Sequence, residues 1–157
     1  MKNNFNLPKP NIMKTRKSIA VAFIILSVIL GAIFYLKIDY PENLEGYFKK
    51  SYYGQLGPLA ICVELLFSAI YLFKGHKKSN FALALFAFTA LADILFNLTG
   101  IFISGVPNYA MVLFFVCAIV SLWIAFSNAF NLGRISLLWA ITSFILGNAI
   151  EFYFNYF

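Results

Sequence analysis

Three carboxylates, Glu64, Asp93 and Glu151, stand inside stretches of sequence that are otherwise almost wholly apolar. The other acids of the chain, Asp39, Glu42 and Glu45, sit together in a polar connection. An ionisable side chain within an apolar block of about 20 residues costs several kcal/mol unless something compensates it, and such residues tend to mark proton or ion sites. Two kinds of chemistry follow from acids alone. They could take up and release protons or cations on a path through the protein, or they could serve as an acid and base pair.

Polar residues recur on the same helical faces. Thr89, Asp93 and Asn97 are spaced i, i+4, i+8; Ser68 lies one turn from Glu64; Asn148 lies three residues before Glu151. Ser121 falls on the polar side of its own block. Turned inward, these faces enclose a polar pocket rimmed by Glu64, Asp93 and Glu151, with Asp93 neutral and hydrogen-bonded to Asn97 or Thr89. The bland alternative is that the same groups are hydrogen-bond glue between helices, worth about 0.6–2 kcal/mol each.

No cofactor is implied, and no metal site. The sole histidine, His76, lies in a basic turn, and Cys62 and Cys117 lack ligand spacing and read as buried apolar residues. "GNAIE" at 147–151 resembles a fragment of the small prokaryotic diacylglycerol kinases without the rest of their pattern, and it implies no family.

The elements that must position these groups follow from composition. The chain has 157 residues, 62% hydrophobic and only 11% charged, where soluble domains carry about 25%. The apolar residues come in blocks long enough to cross ~30 Å of hydrocarbon. The expected fold is all-α: a polytopic integral membrane bundle of five transmembrane helices, over about 18–36, 55–73, 81–103, 109–131 and 135–156. The domain reading is a mobile basic tail over 1–17 and a single transmembrane domain over 18–157. Residues 1–12 look dispensable, since Met13 would serve as a start. The first apolar run is too long and too bulky at its end for a cleaved signal, so it reads as a retained anchor. Between the first two spans, Pro41, the acids after it, Lys49 and Lys50, and one face of Leu44, Tyr47, Phe48 and Tyr52 predict a short amphipathic helix lying in the interface.

Nine of the twelve Lys and Arg residues fall on the side of the N-terminus, with only Lys37, Lys49 and Lys50 on the other. That bias places the N-terminus inside and the C-terminus outside, in a plasma (inner) membrane. The acids then lie in the outer half, roughly 13, 15 and 8 Å from the outer ends of their helices. An echo of acid-x-x-Phe-Asn links Asp93–Asn97 to Glu151–Asn155 and suggests a duplicated hairpin.

The partners expected are the lipid bilayer and either a second copy or a larger membrane complex; no basic patch on a soluble surface is available for nucleic acid. The leading expectation is a proton- or cation-linked transporter or channel-like protein, with the question of an enzyme left open and the balance against it. The alternatives are a membrane-embedded enzyme acting on a lipid-like substrate, or a non-catalytic subunit.

Overall fold

The computed structural model describes residues 10–156. The long helices are α1 (Pro10–Tyr35), α3 (Gly57–Lys74), α4 (Ser79–Thr99), α5 (Asn108–Phe126) and α6 (Leu137–Tyr156), with a single turn, α2 (Lys50–Tyr53), before α3. No strand occurs among the described residues. Among the described residues, five segments are long and apolar enough to cross a membrane: Asn11–Tyr35, Lys50–Lys74, Ser79–Thr99, Asn108–Phe126 and Leu137–Asn155.

Several boundaries differ from the sequence expectation. Residues 10–17, expected as part of a mobile tail, form the first two turns of α1, and residues 1–9 lie outside the described residues. Pro10 suits a first helical position because its missing N–H has no partner to lose there. Arg16 then ties the new turns to the bundle by donating to the Phe73 carbonyl (3.4 Å), and Lys17 stands 5.5 Å over the Phe73 ring. Gly75 is left-handed (φ 66°), and the Arg16 guanidinium covers the place where a side chain would begin.

α4 stops at Gly100, left-handed at φ 74°, and not at 103; α5 stops at Phe126 and not at 131, because the chain turns extended at Ser127. The expected interfacial helix is also broken. Residues Leu44–Phe48 form a 3₁₀ turn whose Asn43 cap accepts from the Gly46 N–H (3.0 Å), and α2 begins afresh at Lys50. The capped turn closes too tightly to propagate as one α-helix.

α4 is the centre of the bundle, packed on α3, α5 and α6, while α1 lies against α3. Its core face, Leu83, Ala84, Phe86, Ala87 and Ala90, is essentially inaccessible. Small residues there let three helices approach. The outer faces are apolar too: Ile25, Val28, Ile29, Val112, Val116, Ile141 and Ile145 are all exposed. An apolar core inside an apolar surface is the arrangement hydrocarbon solvates.

The short connections make α3, α4, α5 and α6 alternate in direction, so α4 and α6 run parallel. Ring pairs Phe81–Trp139, Phe88–Phe144 and Phe96–Phe152, with centroids 5.3, 5.4 and 5.1 Å apart, step along both helices in the same direction. One end of the bundle carries the cations of α1's start and of the turns after α3 and α5. The other carries the tyrosine contacts Tyr47–Tyr52 and Tyr53–Tyr153. They are the basic and the aromatic end of the bundle.

Candidate functional site

The site is built by one glycine. A Cβ on Gly147 would fall 2.8 Å from the backbone nitrogen of Thr89 and 3.0 Å from its hydroxyl oxygen. Only glycine lets α6 come this close to the backbone of α4. One turn further towards the aromatic end, the pair of helices carries Asp93 and Glu151, 4% and 2% exposed. Their carboxyl groups come within hydrogen-bonding reach of each other. The offset between Thr89 and Gly147 equals that between Asp93 and Glu151, and it is the offset of the sequence echo. The echo therefore coincides with the register in which α4 and α6 pack.

A loop completes the site. Past Gly100 the chain turns back, and the Ser104 hydroxyl lies 2.7 and 2.8 Å from the two oxygens of Asp93, donating to them. The Ser104 N–H donates to Asn97 Oδ1 (3.0 Å), and Ser104 Oγ accepts from the Val106 N–H (2.9 Å). Gly105 lets this loop lie against the start of α3, since a Cβ there would stand 3.3 Å from the Gly54 carbonyl. On the α6 side, Asn155 Nδ2 donates to Glu151 Oε2 (3.2 Å) and to the Glu151 carbonyl (2.9 Å).

The charged groups acting on Glu151 are Asp93 and Glu64, both acids. Two carboxyl groups in contact can hydrogen-bond only when one of them carries a proton. Glu64, on α3, faces the same region across Thr89. The Thr89 hydroxyl is within its reach but donates to the Leu85 carbonyl (3.0 Å), leaving both Glu64 oxygens buried without a partner. Among the described residues, no group of three or more His, Cys, Asp or Glu could hold a metal ion. Cys62 and Cys117 are both free and buried.

Of the residues singled out from the sequence, Asp93, Glu151 and Asn97 come together, and Glu64 and Thr89 adjoin them. The expected bond from Asp93 to Asn97 or Thr89 is not made. Asn97 is taken up by the Ser104 backbone and by Met111, to whose sulfur it donates at 3.7 Å, so Ser104 supplies the partner instead. Ser68 is buried but donates to Leu65 of its own helix (2.8 Å), and Asn148 donates to Phe144 of its own (2.8 Å). Ser121 is fully buried with an unpartnered hydroxyl. It lies roughly 20 Å along α5 from the aromatic end, against roughly 9 Å for Asp93 along α4, so it is not part of this site.

Ser104 was not among the sequence candidates because nothing in its spacing relates it to Asp93. The available signal was the loop's composition, since "IFIS" after Gly100 is too apolar for a loop that points into water. Ser104→Ala should cost about 1–3 kcal/mol, because it removes Asp93's donor and orphans the Val106 N–H. Thermal unfolding in detergent reads this directly. An unchanged midpoint would show that the bond carries no stability.

Comparison of the chain with models of protein families, with curated proteins and with solved structures finds no match.

Proposed function

We propose that the chain is an integral membrane protein that conducts protons, alone or linked to a cation, with Asp93 and Glu151 as the shared proton site and Glu64 as a second acid beside it. The observation that carries this reading is the contact between two buried carboxyl groups, Asp93 and Glu151, with a third acid, Glu64, acting on Glu151. A structural hydrogen bond between helices needs one polar pair. It has no need of two titratable groups on one proton with an unpartnered acid alongside.

A cavity of about 690 Å³ at the aromatic end supports an approach to the pair, because Asn155, which bonds Glu151, lies in its wall. In the orientation favoured by the cations, that cavity faces outward and the basic end faces the cytoplasm of a plasma (inner) membrane. The same wall holds Lys37 and Lys50 beside Phe102 and Ile103. That combination favours, as a second reading, acid and base chemistry on an anionic, lipid-like substrate.

Proteoliposomes loaded with a pH-sensitive dye test the proposal. An imposed pH gradient should collapse faster with the protein than in protein-free vesicles of the same lipid. No difference, with or without each alkali cation, would defeat the transport reading and favour an enzyme or a subunit of a larger complex. A reporter fused after Phe157 should lie outside; a cytoplasmic reporter would reverse the sidedness.

A further inference from the structure

A second cavity lies at the opposite end of the bundle, far from the carboxyl pair. It measures about 500 Å³, and its walls include Lys77, Lys78 and Arg134, with Asn80, Phe81 and Trp139 among the rest. The three charged residues in its wall are all cations. They are contributed by two separate connections, the turn after α3 and the turn after α5.

The backbone that carries Arg134 is held in place. Gly133 is left-handed (φ 84°) with open space around it, so glycine is needed there for conformation and not for room. Its N–H donates to Asn128 Oδ1 (2.9 Å) and its carbonyl accepts from Asn80 Nδ2 (3.1 Å). Asn80 is itself buried, 4% exposed. Gly133 is thus clamped from both sides and the next residue is Arg134. Trp139 stands edge-on to Phe81, with centroids 5.3 Å apart, and is itself 55% exposed. An exposed tryptophan at the end of an apolar helix is typical of the level of lipid headgroups.

A third cavity, of about 260 Å³, adjoins this one and shares Lys78 and Phe81 with it. It runs between α3 and α4, and its lining is almost wholly apolar, with Phe67, Tyr71 and Leu85 in its wall and Glu64 at its far side. A cationic pocket thus continues into an apolar groove that follows the spans.

We infer that this end of the protein binds an anionic phospholipid, with its phosphodiester among Lys77, Lys78 and Arg134 and one acyl chain in the groove between α3 and α4. A soluble phosphate would satisfy the cations but leave the groove unused. A zwitterionic lipid would fill the groove, but its own ammonium offsets its phosphodiester and leaves the three cations without a net counter-charge. An anionic headgroup with an attached chain satisfies both. The assignment does not depend on what the carboxyl pair does.

Trp139 is a built-in reporter. The chain has two tryptophans, so Trp123→Phe leaves Trp139 alone. Full-length protein of this background is reconstituted with chain-brominated phosphatidylglycerol or with chain-brominated phosphatidylcholine, each titrated into a neutral lipid. Phosphatidylglycerol should quench Trp139 at a markedly lower mole fraction. The preference should fall about fivefold for each cation replaced among Lys77→Gln, Lys78→Gln and Arg134→Gln. A control with Lys37→Gln, Lys49→Gln and Lys50→Gln removes equal charge from the other end and should keep the preference. Added inorganic phosphate or glycerol phosphate should not displace it. Equal quenching by both lipids overturns the assignment, as does a control that loses the preference as fully as the pocket variants. Displacement by a soluble phosphate also overturns it, because a free anion would then suffice. If the triple variant fails to fold, the single Arg134→Gln carries the test, and an unchanged preference there counts against the pocket.

Discussion

Gly147→Leu is expected to separate α4 from α6 and to be the most damaging single substitution in the chain. The atoms in the way are backbone atoms of Thr89 and Phe88, which no rotamer change can move aside. Even Gly147→Ala should destabilise by about 1–3 kcal/mol through overpacking, partly offset by about 1 kcal/mol of helix propensity gained over glycine. Leucine adds three more carbons at the same point and should exceed roughly 3 kcal/mol. The effect reaches the site, because Asp93 and Glu151 lie one turn beyond the contact and depend on the same closeness. Thermal unfolding in detergent gives the size of the loss. The second substitution Thr89→Ala should rescue little, since it clears the hydroxyl and leaves the backbone nitrogen in place. A full rescue would show that the close approach is not between backbones.

Asp93→Asn should leave the fold intact and abolish proton movement. The amide oxygen can still accept from Ser104, and the amide N–H can donate to Glu151, so each hydrogen bond of the pair has a replacement. What disappears is the exchangeable proton, because an amide does not titrate in this range. Dye-loaded proteoliposomes carrying Asp93→Asn should behave as protein-free vesicles, with unchanged unfolding temperature. Asp93→Leu differs in kind. It leaves the Ser104 hydroxyl and the Glu151 carboxyl without their partner, at about 1–3 kcal/mol for each orphaned group, and should lower stability sharply. If Asp93→Asn retains wild-type flux while Asp93→Leu unfolds, the pair is helix glue and the proposed function fails.

The architecture was legible because its signal is coarse. Blocks of about twenty apolar residues give five long helices whatever their detailed packing, and the links between α3, α4, α5 and α6 leave little choice of direction. The carboxylates were legible because charge in an apolar block is rare. Their pairing was only hinted at: the acid-x-x-Phe-Asn echo holds the register of α4 against α6, yet in so phenylalanine-rich a chain the match alone carries little weight. Gly147 was not read as the reason the pair forms, since glycine in an apolar helix has many uses and its neighbour on another helix is a tertiary fact. Helix ends were misread for local reasons. Gly100 ends α4 inside an apolar stretch, and Pro10 starts a helix in a stretch whose prolines and charges suggested a tail.

The loop over Asp93 has a kinetic consequence. The carboxyl pair is closed at the aromatic end by eight residues, 100–107, held across the site by the bonds to and from Ser104, by Phe102 against Phe96 and by the buried Val106. Short loops move in nanoseconds to microseconds, whereas packed helices shift in microseconds to milliseconds. Water can therefore reach the pair by movement of the loop alone, on the faster of these timescales, once the Ser104 bonds and the packing of Phe102 and Val106 give way together.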